Sequence, residues 1–180
     1  MSDLDLATLQ TGLLHLIKGR AACEPFTDDY LRRVAGCSQL EVVREIVQWW
    51  CRQTVMAAAP FTGRLLARLQ RLDLAAAELS GRDDLTPFRS AQTLQCLSGL
   101  GSDSNPLLAA LADFECHVLV VAARPNEGPF RTDWPCDPYK ALHALLHGTA
   151  LPPVGNEIYV TEVGAAIPGF FRVLTTAAPG

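Results

Sequence analysis

The spacing of apolar residues changes near residue 123, and this change limits the folds that the chain can adopt. Up to that point apolar residues recur every three or four positions, as on one face of an α-helix, in segments separated by Gly and Pro. Beyond it, EIYVTEV at 157–163 alternates like a β-strand, and GAAIPG leads into a second strand, FFRVLTT. We therefore predict an α+β protein in two domains: a mainly helical N-terminal bundle over residues 1–123, and a small unit over 124–180 with an antiparallel hairpin.

Ser38 and Glu41 have the spacing of a capping box, in which two side chains bond to backbone N–H groups at the start of a helix. Five apolar residues of the helix that follows share one face, which we expect to be buried. They are Leu40, Val43, Ile46, Val47 and Trp50. Trp49 and Trp50 point in two directions, so one ring is free to mark a contact surface, although partial burial is commoner for Trp.

Three arginines form a row on a single helix predicted over residues 62–79. Arg64, Arg68 and Arg71 lie three or four residues apart, opposite a face of leucines. Such a row could bind an acidic partner, but rows of arginines more often form the solvated face of an amphipathic helix. The whole chain has 15 basic and 19 acidic residues and a net charge of −4, so we expect no nucleic-acid partner.

The longest apolar helix is predicted to run to about Ala123, with Ser104 or Asn105 as its cap and Pro106 in its first turn. It is apolar nearly all round toward its C-terminal end, as expected of a central helix. Glu115 lies within it, and we expect this carboxylate to be buried and to make a structural hydrogen bond.

The ends and cysteines of the chain bear on its compartment. The N-terminus starts with acidic residues and lacks the apolar run of a signal peptide, and no apolar stretch is judged long enough to span a membrane. Without an export signal, and in a chain of this size, no disulfide framework is expected among the six cysteines. They contain no C-x-x-C pair, so the spacing of a zinc ribbon is missing as well. We predict a cytoplasmic protein with reduced cysteines and no membrane contact.

The residues most suggestive of chemistry lie in RTDWPCDPYKALHALLHG, residues 131–148. His143 and His147 share one helix face, and Cys136 precedes the helix, as in a metal site or a thiol nucleophile near a helix N-terminus. The glutamate of an H-E-x-x-H motif is absent, and the sequence does not identify a third group that would orient a base. We therefore assign no catalytic residue and no metal ligand. An enzyme that uses these three residues stays open as an alternative.

Three segments resemble a family of bacterial helper proteins. The segments are LADFE at 111–115, DWPCDPYKALHALLHGTALP at 133–152 and EIYVTEVGAAIPGFFRVL at 157–174. The family consists of partner subunits of multinuclear non-haem iron enzymes that modify cysteine in ribosomally made peptides, as in methanobactin and thiaglutamate biosynthesis. The likeness is best over residues 105–175. Related sequences carry a DNA-binding label for their helical part, so a DNA-binding transcriptional regulator is the first alternative.

The resemblance implies a non-catalytic protein without a cofactor of its own. Iron and the oxygen chemistry would belong to a partner, an iron-dependent barrel oxygenase. This chain would bind the leader part of a short cysteine-containing precursor peptide and present it to that partner. An open edge of the small sheet suits this role, because an extended peptide can join such an edge as an extra strand.

The resemblance also suggests which residues act. The expected pairing strand is Ile158, Tyr159, Val160, Thr161, Glu162 and Val163, and the adjacent surface is Phe170, Phe171 and Arg172. A rigid joint between the sheet and the next helix is expected at Trp134, Pro135, Asp137 and Pro138, with His143 and His147 incidental to it.

Overall fold

The computed structural model of this protein describes residues 6–19, 28–82, 89–155 and 157–176. Within them lie eight helices and three strands: α1 (Leu6–Ile17), α2 (Asp29–Ala35), α3 (Gln39–Ala58), α4 (Pro60–Arg68), α5 (Leu72–Gly81), α6 (Arg89–Leu100), α7 (Pro106–Ala123), β1 (Phe130–Trp134), α8 (Pro138–His147), β2 (Ile158–Val163) and β3 (Phe171–Thr176). The predicted α+β class, with helices first and a small antiparallel sheet near the C-terminus, is confirmed. Thr27, expected to cap the second helix, and Pro87, expected near the start of the sixth, lie outside the described residues.

The start of α3 was predicted correctly, but its capping box was not. Ser38 has helical backbone angles, φ −61° and ψ −27°, and its side chain makes no capping hydrogen bond. A capping serine needs an extended backbone to aim its oxygen at the first free N–H groups. Glu41 instead forms an ion pair with Arg44, one turn further along the helix.

The predicted buried face of α3 is also wrong. Leu40 alone of the five residues is buried, while Val43, Ile46 and Trp50 are exposed. The buried residues, besides Leu40, are Cys51, Thr54 and Val55, in the second half of the helix. They are smaller and less apolar than the residues that the pattern favoured, so the apolar spacing alone selected the other face.

The helix predicted over residues 62–79 is two helices, α4 and α5. The chain turns between them at Gln70, whose φ of 57° is incompatible with a continuous right-handed helix. Two arginines of the predicted row are engaged within the molecule. Arg68 donates to the carbonyl oxygens of Ala144 and Thr149 at 2.8 Å each, and Arg71 donates to Asp103 at 3.0 Å. The row is therefore not a free basic surface.

One hydrophobic core crosses the predicted domain boundary at residue 123. Leu65 of α4 and Leu108 of α7 belong to the same buried cluster as Trp134 of β1 and Val163 of β2. A smaller cluster joins α1, α2 and the start of α3 through Leu16, Leu31 and Leu40. The packing thus gives no separate core to residues 124–180, and the sheet and α8 complete the core of the helical part.

The central position predicted for α7 agrees with its burial. Asn105 is its cap, with the side-chain oxygen accepting from the N–H groups of Leu107 and Leu108 at 3.1 Å, and Pro106 is the first helical residue. Contrary to our expectation, this helix is long and apolar enough to cross a membrane by length and composition alone. The apolar composition of α7 also suits a helix in the protein core, since 44% of its residues are buried inside the protein.

The sheet has the order β1-β2-β3, with both pairs antiparallel. Thr161 of β2, for example, lies between Thr132 of β1 and Val173 of β3. The strand that we expected to pair with a peptide is therefore the central strand. Five of its residues are already paired on both sides and cannot accept another strand: Tyr159, Val160, Thr161, Glu162 and Val163. Ile158, at the start of the strand, pairs with Thr176 of β3, so the prediction that this strand receives a peptide is wrong.

The segment between β1 and α8 has the geometry of the predicted joint. Trp134 is 2% exposed, and its Nε1–H donates to the hydroxyl of Thr161 at 2.9 Å. The carbonyl of Pro135 accepts from the N–H of Gly155 at 3.1 Å. Asp137 caps α8 by accepting from the N–H of Tyr139 at 2.9 Å, and Pro138 is the first residue of that helix.

Replacing the cap of α8 should destabilise the protein measurably. We expect Asp137→Ala to lower the free energy of unfolding by about 1 kcal/mol, because N–H groups of the first turn lose their acceptor. Urea denaturation followed by circular dichroism measures this change. Asp133→Ala removes an exposed carboxylate on β1 and should stay within about 0.5 kcal/mol of the wild type. Equal losses in both variants would contradict the capping role.

Candidate functional site

An apolar pocket of about 650 Å³ lies between helices α4, α7 and α8 and the start of β3. Its wall is formed by Ala58, Pro60, Phe61, Phe114, Glu115, Val118, Leu119, Tyr139, Leu142, His143, Leu146, Gly169, Phe170 and Phe171. Most of these side chains are aliphatic or aromatic, and the volume is in the range of pockets that enclose a small molecule. Its volume exceeds those of three other concavities in the described part of the chain, which are about 490, 220 and 120 Å³.

Aromatic rings connect the floor of the pocket with the joint. Phe114 of α7 packs edge-on against Trp134, with 5.5 Å between ring centroids, and against Phe171, with 5.1 Å. Phe171 also contacts Tyr139 of α8, at 5.7 Å. Since Trp134 and Phe114 are buried, this row of rings gives the pocket a rigid inner wall.

The rim of the pocket exposes large apolar side chains to solvent. Tyr139, Leu146 and Phe170 are 56%, 54% and 49% exposed. Phe170 has a φ of 70°, a backbone conformation that costs free energy for a residue with a Cβ atom and that occurs in turns and at functional sites. Gly169 before it also has positive φ, so the hairpin turn holds Phe170 at the mouth of the pocket.

Glu115 is the one carboxylate in the pocket wall, and it is fully engaged. One of its oxygens accepts from the N–H of Phe61 at 2.9 Å and the other from the N–H of Thr62 at 2.7 Å, so it caps the start of α4. The predicted structural hydrogen bond is confirmed. Burial raises the pKa of Glu115, and the hydrogen bonds from Thr62 and Phe61 oppose that rise. The pocket therefore offers a ligand no free carboxylate from this residue.

The outer edge of β3 lies beside the pocket. The N–H of Gly164 donates to the carbonyl of Phe170 at 2.9 Å. Along an antiparallel pair, hydrogen-bonded and non-hydrogen-bonded residue pairs alternate, so this bond shows which residues of β3 bond to β2. From this alternation, the N–H and C=O groups of Phe171 and Val173 point away from β2. No strand within the described residues pairs with that edge. The edge that could receive a peptide is therefore on β3, next to the predicted surface residues Phe170 and Phe171.

Arg172, predicted to belong to the same surface, lies on the other face of the sheet. Its guanidinium donates to Glu162 at 2.7 Å, and Arg131 of β1 donates to the same carboxylate at 3.3 Å. The three residues are directly opposite one another on the three strands, so Glu162 links them across the sheet. The hydrogen bond from Arg172 lowers the pKa of Glu162, with a smaller contribution from Arg131.

The residues of the alternative enzyme do not form a reactive site in the described structure. Cys136 is 2% exposed, and burial raises the pKa of its thiol, whereas a nucleophilic cysteine needs a lowered pKa. His143 and His147 are exposed neighbours, with ring centroids 4.3 Å apart. Among the described residues, no group of three His, Cys, Asp or Glu side chains is arranged to hold a metal ion.

Several residues of the pocket were not predicted from the sequence. Tyr139, His143 and Leu146 are spaced at i, i+4 and i+7 on α8, so their common face was readable once the helix was assigned. Phe61 and Val118 belong to other helices, and their approach to α8 depends on tertiary packing.

Comparison with known proteins does not identify a family for this chain. No protein-family model matches the sequence, and no curated protein matches it. The family resemblance therefore stays a prediction, and functional inference depends on the geometry of the pocket and the sheet edge.

Removing the carboxylate of Glu162 should give a pH-dependent loss of stability. Since the pKa of Glu162 is lowered from its ordinary value of 4.5, its stabilising contribution is present above that value and is lost as the pH falls through the folded-state pKa. We expect Glu162→Gln to melt at a lower temperature than the wild type at pH 7, and the difference to shrink at pH 3. Thermal unfolding across this range measures it. Asp133→Asn, at an exposed position of β1, should melt like the wild type throughout.

Proposed function

We propose that this protein is a non-catalytic partner in the biosynthesis of a ribosomally made natural product. It binds the leader part of a short cysteine-containing precursor peptide and presents that peptide to an iron-dependent barrel oxygenase. The observation that carries the proposal is the apolar pocket beside the outer edge of β3, with which no described strand pairs. The identity of the enzyme partner is taken from the family resemblance.

The pocket and the edge suit one extended ligand. A peptide strand added to β3 would bond to the outward N–H and C=O groups of Phe171 and Val173. Because side chains alternate between the two faces of a strand, every second side chain of the peptide would point to the face that holds Phe171 and the pocket. Main-chain bonds would then supply affinity, and the pocket would select apolar side chains at alternate positions.

The chemistry of the wall supports binding without catalysis by this chain. Glu115 is used by the backbone of α4. Cys136, which does not belong to the wall, is a buried thiol with a raised pKa. The remaining polar groups of the wall are the side chains of Tyr139 and His143. In this proposal the iron site belongs to the partner enzyme, and this chain supplies recognition.

A nucleic-acid-binding role has less support. Arg68 is bonded to two carbonyl oxygens at the end of α8, and Arg71 is paired with Asp103. The basic row that favoured this alternative is thus used to hold helices together. A net charge of −4 also opposes an electrostatic grip on phosphates.

A charged residue in the pocket wall should weaken peptide binding. We expect Leu146→Asp to weaken the affinity at least about tenfold, because an apolar side chain of the peptide would have to desolvate a carboxylate. Fluorescence anisotropy with a labelled short cysteine-containing peptide measures this affinity. Ile158→Asp is the matched control, since Ile158 is equally exposed but lies on the other face of the sheet. Loss of binding in the control alone would contradict the pocket as the site.

The strand-addition geometry makes a separate prediction about the peptide backbone. Replacing single N–H groups of the peptide by N-methyl groups should weaken binding at every second position and leave the positions between them nearly unchanged. Titration of such a peptide series against the wild-type protein measures this pattern. Uniform effects along the peptide would show that it does not bind as a strand.

A further inference from the structure

Helix α3 has a large apolar face that points to solvent. We call this face the α3 patch, and it consists of Val42, Val43, Ile46, Trp49 and Trp50, which are 39% to 54% exposed. The spacing of these residues places them together on about two turns of the helix, opposite the buried residues Cys51 and Val55. Contiguous exposed patches of this kind mark protein–protein contacts in soluble proteins.

The two indoles make the patch suitable for a specific contact. Trp49 and Trp50 pack edge-on against each other, with 5.1 Å between ring centroids. The neighbouring rings limit each other's motion, so less side-chain entropy is lost when a partner covers them. Trp is also among the residues that contribute most to protein interfaces.

We propose that the α3 patch is a self-association surface, on which a second copy of the chain docks with its α3 antiparallel to the first. At one end of the patch the side chains are small, Val42 and Val43. At the other end, about 10 Å further along the helix, they are large, Trp49 and Trp50. Antiparallel docking packs the large end of each copy over the small end of the other. Ile46, between the two ends, then lies near the two-fold axis.

The charges beside the patch favour the same orientation. Glu41 and Glu45 flank its valine end, and Arg52 lies beyond its tryptophan end, with a side chain that is 37% exposed and also pairs with Asp73. With Ile46 at the two-fold axis, antiparallel docking places Glu41 of each copy, which also pairs with Arg44 of its own helix, level with Arg52 of the other copy. This arrangement is electrostatically favourable.

The size of the patch sets the strength of the contact. Half-exposed Trp, Ile and Val side chains together offer about 400 Å² per copy, or about 800 Å² in a dimer, which is below the range of stable interfaces. We therefore expect a weak dimer that dissociates in the micromolar range. None of the patch residues lines the peptide pocket, so the dimer would keep two accessible pockets and its existence does not depend on the proposed function.

Sedimentation velocity of the full chain tests the proposal directly. Between about 1 and 200 µM, which brackets a micromolar dissociation constant, we expect the sedimentation coefficient of the wild type to rise from that of a monomer toward that of a dimer. Ile46→Asp should stay monomeric over the whole range, because it places a carboxylate near the two-fold axis. Val154→Asp changes an exposed residue of a loop outside the patch and should behave like the wild type.

Tryptophan emission provides a second readout that needs no variant. Trp134 is buried in the core, so dilution of the wild type should shift only the emission of Trp49 and Trp50 toward longer wavelengths. This measurement keeps the proposal testable even if Ile46→Asp does not fold. A wild type that stays monomeric, or an Ile46→Asp variant that associates as the wild type does, would overturn self-association. A third outcome is a monomeric wild type that co-purifies with the iron-dependent oxygenase, and an Ile46→Asp variant that does not. This outcome would overturn self-association and assign the patch to the oxygenase.

Discussion

The burial of Trp134 is the interaction on which the rest of this structure depends. Its ring packs against Phe114 of the central helix, and its N–H bonds to Thr161 of the middle strand, so one side chain joins α7 to the sheet. Asp137 follows three residues later and starts α8. Sheet, central helix and last helix therefore take their relative positions from a segment of four residues, and removal of such a buried ring typically costs about 3–5 kcal/mol.

The pocket is a consequence of this arrangement. Phe171 lies at its inner end because Phe114 packs against both Phe171 and Trp134, and Tyr139 contacts Phe171 from the first turn of α8. The groups with reactive potential are used structurally, as with Glu115 at the start of α4. The wall provides shape and apolar surface beside an edge of β3 with which no described strand pairs. The proposed role in peptide recognition rests on these two properties.

Local features of the fold could be predicted from the sequence, and long-range ones could not. Asn105–Pro106 and Asp137–Pro138 mark helix starts because capping depends on neighbours within three residues, and Gly148 ends α8 with a φ of 74°. The buried face of α3 was mispredicted, because burial depends on which helices pack there and not on the most apolar stripe. The break between α4 and α5 was not predicted, because Gln70 turns the chain there and no Gly or Pro marks the position.

The candidate site shows the same limit. Phe170 and Phe171 were expected near a binding surface and do line the pocket, whereas Arg172 is on the opposite face because neighbouring strand residues alternate. The pairing strand was misassigned because the sequence indicates a hairpin but not the order of strands. Phe130–Trp134 pairs with β2 from a distance of about thirty residues, and this turned the expected edge strand into the central one.

The continuous core has a consequence for how this protein can evolve and be engineered. Val163 and Trp134 are buried among side chains of the helical part, and Arg68 of α4 bonds to the backbone at the end of α8. Cutting the chain near residue 123 would strip both halves of packing partners and leave apolar strand surface open to aggregation. The C-terminal unit is therefore not a portable module that could be fused to another protein. It has to be inherited, and transplanted, together with its helices.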